Sequence, residues 1–298
     1  MTPGDDLILS LVGGADPATD TGYEDHPPRM GFFTDTSLCI GCKACEVACK
    51  EWNEVPEDGL DFTADSFDNT GGLGASTWRH VAFIEQEKPV GTAEANLMHE
   101  STDENGDFRW LMSSDVCKHC THAACLDVCP TGALFRTEFG TVVVQDEICN
   151  GCGYCVPACP YGVIDTRTGP HGDGGAHKCT LCYDRLGDGM EPACAKACPT
   201  DSIQFGEVDD LRERAGARVI QMQAAGVTDA RLYGEDPDDG VGGHGAMFLL
   251  LDEPEVYGLP PDPQVTTKDL GRMWKSAALA AAGLLGTVAA ATFLGGGS

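Results

Sequence analysis

The sequence predicts an α+β fold in which two nested units each enclose a pair of cysteine-bound metal clusters, with long loops between them and a C-terminal helix read as transmembrane. Three observations predict it. All sixteen cysteines of this 298-residue chain fall between Cys39 and Cys198, in four runs of four. With Gly 38 and Pro 17, turn formers are too frequent for long uniform helices or sheets. Finally, Ser276 to Leu294 carries no charged residue.

Residues 1–30 are acidic and rich in Gly and Pro around one apolar run, Leu7 to Val12, and read as an irregular arm. Neither a basic stretch before an apolar run nor a twin-arginine pair opens the chain, so no export signal of its own is expected. Residues 31–52 hold the first cysteine run. An insertion follows over 53–116, with Asn53 to Gly74 as an acidic loop and His80 to Ile84 and Gly106 to Ser113 as short strands. The second and third runs occupy 117–167, and the fourth lies in 168–204. Over Glu207 to Gly226, Leu211, Ala215, Val219 and Met222 recur at helical spacing and predict an amphipathic helix ending at Gly226. It belongs to a segment, 205–264, expected to bridge to a partner, in which Met247 to Leu251 reads as a strand.

Residues 265–298 read as a membrane anchor. As a helix, Ser276 to Leu294 would be about 28 Å long, close to the roughly 30 Å of hydrocarbon in a bilayer. Gly283 and Thr287, four apart, suit close packing against a second membrane helix. Lys268, Arg272 and Lys275 precede the run and no basic residue follows, which places the cysteine region of a single-pass cell-membrane protein on the cytoplasmic side. Docking on a soluble body is the competing expectation. The formal charge of -28 excludes a basic surface for nucleic acid phosphates or anionic lipids.

The runs carry the chemistry. Cys39, Cys42, Cys45 and Cys49 are separated by two, two and three residues, as are Cys149, Cys152, Cys155 and Cys159. In Cys117, Cys120, Cys125 and Cys129 the spacing is two, four and three, and in Cys179, Cys182, Cys194 and Cys198 it is two, eleven and three. Proline follows the last cysteine of the second, third and fourth runs. Such spacing lets a tight loop place three thiolates on the corners of an iron-sulfur cubane while the fourth points to a neighbouring cluster. Sixteen thiolates then divide into four [4Fe-4S] clusters. With crossed ligation, Cys117, Cys120 and Cys125 join Cys159, and Cys149, Cys152 and Cys155 join Cys129. The outer runs pair likewise, Cys39, Cys42 and Cys45 with Cys198, and Cys179, Cys182 and Cys194 with Cys49. The result is one two-cluster ferredoxin-like unit nested in another.

A zinc-binding scaffold is the structural alternative, since four-cysteine zinc sites also begin with closely spaced pairs. It leaves the third cysteine of each run, and the Cys-Pro that closes three of them, unexplained. Disulfides between such close neighbours would constrain little of the unfolded chain. The segments PTGAL, PYGVI and PTDSI (130–134, 160–164 and 199–203) repeat after three runs, and their apolar residues are expected beside the clusters. No HExxH or GKS/GKT pattern is present, and the glycines of Gly240 to Gly245, GVGGHG, read as a loop with no phosphate-binding context around them. His119 and His122 are expected to hydrogen-bond or meet a partner; Lys43, Lys118, Lys178 and Lys196 sit within or beside the runs, where a positive charge would offset cluster charge and raise potential, but for any single one ordinary solvation is the first expectation. Full cysteine ligation leaves iron no open position, so no catalytic residue is assigned and electron conduction is the expected role.

On CIGCKACEVACKEWN (39–53), FGEVDDLRERAGARVIQMQAAGVTDARLYG (205–234), GVGGHGAMFLLLDEPEVYGLP (240–260) and the helix after Trp274 and Lys275, the chain resembles the iron-sulfur (beta) subunit of membrane-bound molybdopterin-dependent formate dehydrogenases. The four runs are shared with dimethyl sulfoxide, polysulfide and nitrate reductase relatives; all sixteen positions being Cys argues against the nitrate reductase branch. The resemblance implies a catalytic alpha subunit holding a molybdenum or tungsten bis-pterin, which this chain would not itself hold, and a cytochrome b (gamma) subunit that passes electrons to quinone. It also implies an electron order that begins at the cluster of Cys39, Cys42, Cys45 and Cys198 and ends at that of Cys117, Cys120, Cys125 and Cys159. Members of the family carry a charged tail beyond the anchor, which is not expected after Leu294 in this sequence. An equivalent subunit of another molybdopterin oxidoreductase is the alternative function.

Overall fold

Alternation of side chains along two strands sets the layout. In a computed structural model that describes residues 17–18, 21–59, 70–86, 109–168 and 173–295, β1 (Met30–Asp35) runs parallel to a strand near the end of the body, Ala246–Leu250. Phe32 on β1, with Ala246, Phe248 and Leu250, faces a core that also contains Cys45, Cys117, Cys179 and Cys194. Phe33, Met247 and Leu249 point to the opposite face, as the two-residue period of a strand requires.

In chain order the remaining strands are β2 (Arg79–Gln86), β3 (Arg109–Val116), β4 (Leu134–Arg136), β5 (Val142–Val144), β6 (Asp165–Thr166), β7 (Ala176–His177), β8 (Ile203–Glu207), β9 (Arg231–Tyr233) and β10 (Ala246–Leu250). The helices are α1 (Ala44–Trp52), α2 (Ala124–Asp127), α3 (Cys155–Ala158), α4 (Tyr183–Gly187), α5 (Ala193–Lys196), α6 (Val208–Ala224) and α7 (Leu270–Gly295). A four-stranded sheet has the order β8-β1-β10-β9, and three two-stranded ladders, β2-β3, β4-β5 and β6-β7, flank the cysteine runs. On the sheet face away from the cysteines lies α6, with Val208, Leu211 and Ala215 against Phe33, Met247 and Leu249 and with Val219 and Met222 packed at the margin.

The expected helix of 207–226 is therefore α6, and the expected strands are β2, β3 and β10, each within a few residues of its predicted bounds. Residues 205–264 supply α6, β9 and β10, and β10 is completely buried between β1 and β9, so this segment is built into the sheet. At Gly31 a Cβ would stand 2.1 Å from the Gly245 carbonyl oxygen, which explains why glycine occupies the start of β1, where two distant parts of the chain meet. The run Leu7 to Val12, part of the acidic loop, His99 and His171 lie outside the described residues.

Helix α7 forms where expected, and Leu279, Leu284, Leu285 and Val288 on it are exposed. The single-pass span read from the sequence is not carried by it: among the described residues no helix is long and apolar enough to cross a membrane. Ala and Gly together outnumber the larger apolar residues in α7, and small side chains remove little apolar area from water.

Candidate metal centres

Each cysteine pair that opens a run is wound by a left-handed residue just before its second cysteine: Gly41 (φ 66°), His119 (φ 44°), Gly151 (φ 69°) and Leu181 (φ 57°). That reversal turns successive thiols inward, and at Leu181 it costs on the order of 1–2 kcal/mol. The third and fourth cysteines of the runs sit on or beside short helices. First-run α1 packs on fourth-run α5, and second-run α2 packs on third-run α3. The sequence runs therefore pair outer with outer and inner with inner.

Three hollows in the protein follow the expected quartets. One is lined by Cys39, Cys42, Cys45 and Cys198, a second by Cys49, Cys179, Cys182 and Cys194, and a third by Cys117, Cys120, Cys125 and Cys159. For the fourth, Cys129, Cys149 and Cys155 pack in one cluster, and Cys149, Cys152 and Cys129 all act electrostatically on the Cys155 thiol. Asn53 donates from Nδ2 to Cys49 Sγ at 3.7 Å and to Cys182 Sγ at 3.8 Å, holding together thiols that are far apart in the chain. Among the described residues, no group of three or more His, Cys, Asp or Glu is arranged to hold a single metal ion. The quartets instead surround hollows.

The expected apolar neighbours are in place: Ile203 lines the first hollow, Val163 and Ile164 the third, and Leu134 packs with Cys149 and Cys155. Other contacts aim at sulfur. The N–H of Leu181 donates to Cys179 Sγ at 3.3 Å, the N–H of Ala176 to Cys149 Sγ at 3.4 Å, and Arg79 Nη2 to Cys194 Sγ at 3.3 Å. Ser114 Oγ lies 3.3 Å from Cys45 Sγ.

Burial pushes the Cys45 and Cys155 thiols up to about 11 and that of Cys125 up to about 12, and it raises Cys49, Cys120 and Cys179 as well. Thiols so placed are neutral without metal at pH 7, and cluster binding has to release their protons while iron supplies the compensating charge. Cys129 differs: burial pushes it up, but the N–H groups of Leu134, Thr131 and Ala133 and the Thr131 hydroxyl outweigh this and leave it below its ordinary value. Cys42 and Cys152 are exposed, so the first and fourth quartets each have an open edge.

The fit to iron-sulfur clusters is also visible in an orphaned donor. His119 Nδ1 accepts the Val142 N–H at 3.1 Å, which fixes the proton on Nε2. That Nε2 is buried with no partner, in a residue lining the third hollow. Burial, followed by the charges of Lys178, Arg136 and Arg29, holds the ring neutral. Sulfur of a bound cluster is the acceptor such a donor needs.

Two lysines overturn the surface expectation. Lys118 and Lys178 are 0% and 2% exposed and both line the third hollow, whereas Lys196 is solvated. Lys118 donates to Asp115 and to the Val116 carbonyl, with its Nζ over the rings of Phe248 and Tyr161, and Lys178 donates to the Val142 and Cys179 carbonyls. Nothing in local spacing distinguishes them from Lys43, which pairs with Glu46. Their burial comes from β5 and β10 closing over the inner runs. Arg79 carries no sequence signal at all, since it sits in the insertion, thirty residues after Cys49 and thirty-eight before Cys117.

These features define a protein of two dicluster units with room for four [4Fe-4S] clusters. Residues 38–133 and 108–208 each match a family described as a 4Fe-4S dicluster domain. The chain is 39% identical over 275 residues to the iron-sulfur subunit of the nitrate-inducible formate dehydrogenase of Escherichia coli (strain K12), covering 90% of this chain and 85% of that one. It is 38% identical over 295 residues to the formate dehydrogenase-O iron-sulfur subunit of the same organism, covering 97% and 89%. To one of the chains of that organism's anaerobic dimethyl sulfoxide reductase the identity is 34% over 188 residues, covering 63% of this chain and 78% of the relative. The protein belongs to the family of formate dehydrogenase iron-sulfur subunits.

Proposed function

We propose that this chain is the electron-transfer subunit of a formate dehydrogenase, taking electrons from a molybdopterin catalytic subunit and delivering them towards a cytochrome b and quinone. The observation that carries it is the single file of cysteine quartets. Cys45, Cys179, Cys194 and Cys117 of the first three quartets lie in one core cluster, and Cys125 and Cys159 of the third pack with Cys149 and Cys155 of the fourth. Four [4Fe-4S] clusters bound to these quartets would each take up and release one electron. The polypeptide's part is to hold the thiolates, to exclude water with Phe32, Ile164 and Ile203, and to direct N–H groups at sulfur.

The file supports an electron order different from the one implied by resemblance. Cys117, Cys120, Cys125 and Cys159 stand in the interior of the sequence of quartets, and Cys149, Cys152, Cys155 and Cys129 stand at its end. The exposed Ile148 and Tyr154 beside that end suit a protein acceptor. Identity to the formate dehydrogenase relatives extends over nearly the whole chain, against 63% for the dimethyl sulfoxide reductase relative, which favours formate as the partner's substrate. We further assign α7, uncharged from Ser276 onward and apolar on its exposed surface, as the contact with the membrane subunit.

Isolation of the intact complex tests this. Formate is expected to reduce four cubane centres in the chain, read by low-temperature electron paramagnetic resonance (EPR). Centres that stay oxidised under formate but are reoxidised by dimethyl sulfoxide after chemical reduction would transfer the chain to a reductase. Deleting 270–298 is expected to release the chain from membranes, and retention would reject the assignment of α7.

A further inference from the structure

The ladder β2-β3 is inserted between the first and second runs, and its base enters the cluster core. There Arg79, paired in register with Val116, is 1% exposed. Its Nη1 donates to the Ser114 carbonyl at 3.0 Å, its Nη2 to Cys194 Sγ at 3.3 Å, and its guanidinium carbon lies 4.8 Å from the centre of the Phe32 ring. Its Nε is buried with no hydrogen-bond partner. Arg79 lines the second hollow, and the Ser114 whose carbonyl it grips places its own hydroxyl 3.3 Å from Cys45 Sγ in the first quartet. A guanidinium cannot be deprotonated under protein conditions, so a permanent positive charge is fixed at the junction of two cysteine quartets.

Other buried cations donate to oxygen, among them Arg136 to the Gly140, Cys120 and Thr121 carbonyls. Lys118 is met by a carboxylate, Asp115, and Lys178 by two carbonyl oxygens. Arg109 forms a buried ion pair with Asp252. Arg79 instead has a stacked phenyl ring, one carbonyl and a thiol, leaving the thiolates of the outer quartets as its countercharge. Adding an electron to a centre beside a buried cation places negative charge next to positive charge in a medium of low dielectric, which favours the reduced state. Hydrogen bonds to cluster sulfur act in the same direction.

We propose that Arg79 is a positioning residue that raises the reduction potential of the two outer centres, most of all that of Cys49, Cys179, Cys182 and Cys194, above the values their buried thiolates alone would give. This rests on the four-cluster reading and adds to it a residue that orders the potentials along the file. Arg79 thereby makes the outer pair a ready acceptor for electrons entering the chain.

The test is potentiometric titration of the purified complex followed by EPR, with wild type, Arg79→Gln and Arg79→Lys compared. In Arg79→Gln with full iron, the reduction equilibrium constant of the affected outer centre is expected to fall about tenfold, which for a one-electron couple is 59 mV. A smaller fall is expected at the other outer centre and none at the inner two. Arg79→Lys keeps the charge, loses the planar fork, and is expected to recover most of the potential. Full iron with all four potentials unchanged, or with all four moved equally, overturns the proposal. Should Arg79→Gln fail to hold its clusters, the uncharged Arg79→Met is titrated instead: a fall confined to the outer centres supports the role, and unchanged potentials refute it. Fewer than four cubane signals in the wild type would instead reject the four-cluster reading on which it rests.

Discussion

Replacing Cys49 with Ala distinguishes crossed from local ligation. Although Cys49 lies in the first run, in the fold its charged neighbours are Cys194 and Cys182 ahead of Cys45, and Asn53 ties its sulfur to that of Cys182. Crossed ligation therefore makes Cys49→Ala a lesion of the centre held by Cys179, Cys182 and Cys194. One quartet of four is opened, so iron is expected to fall from about sixteen to about twelve atoms per chain. The diagnostic readout is which EPR signal disappears during a potentiometric titration. Cys49→Ala and Cys182→Ala are expected to lose the same signal, and Cys198→Ala and Cys42→Ala a different shared one. Iron and sulfide analysis gives the count, and the paired spectra give the assignment. If Cys49→Ala instead removed the signal lost in Cys42→Ala, ligation would be local to each run and the nested architecture would be wrong.

Other consequences follow from packing and charge. Asp252→Asn leaves Arg109 buried without its carboxylate and is expected to cost about 3–5 kcal/mol, checked by denaturant unfolding of the metal-loaded chain; a change below about 1 kcal/mol would mean that Gln86 suffices to hold Arg109. Gly31→Ala drives a Cβ into the Gly245 carbonyl oxygen at 2.1 Å and is expected to destabilise the β1-β10 junction by about 1–3 kcal/mol, seen as faster bleaching of cluster absorbance on heating. Removing the clusters with a chelator and oxidant is expected to abolish the tertiary structure around the runs, because buried neutral thiols and empty hollows would replace metal at the centre of the core; near-ultraviolet circular dichroism that survives metal removal would contradict this.

The cysteine spacing made the quartets legible without any structure, because a cubane needs three thiolates from one tight loop and the local chain alone can provide them. It also led to the proposed crossed pairing of runs, in which each fourth cysteine leaves its own loop, and α1 on α5 with α2 on α3 bring those runs together. Helix α6 and strands β2, β3 and β10 were readable from periodicity, which depends only on which face is buried. The sheet was less legible. β1 and β8 are short and mixed in character, and the parallel partner of β1, β10, lies more than 200 residues away, so no local pattern announces the pairing.

Local sequence is therefore enough for the inventory of the site: sixteen thiolates and the four [4Fe-4S] clusters that such a set accepts. Long-range packing set the file in which the quartets stand, the burial of Lys118 and Lys178, and the insertion of Arg79 between two centres. Ligand sets are encoded by neighbours within a few residues, whereas field and order depend on which distant segments close over them. A charge in the insertion is indistinguishable from a solvated one until β2 and β3 carry it into the core. The apolar run at the C-terminus shows the same division: its lack of charge predicted a helix, but composition alone did not make that helix a membrane span.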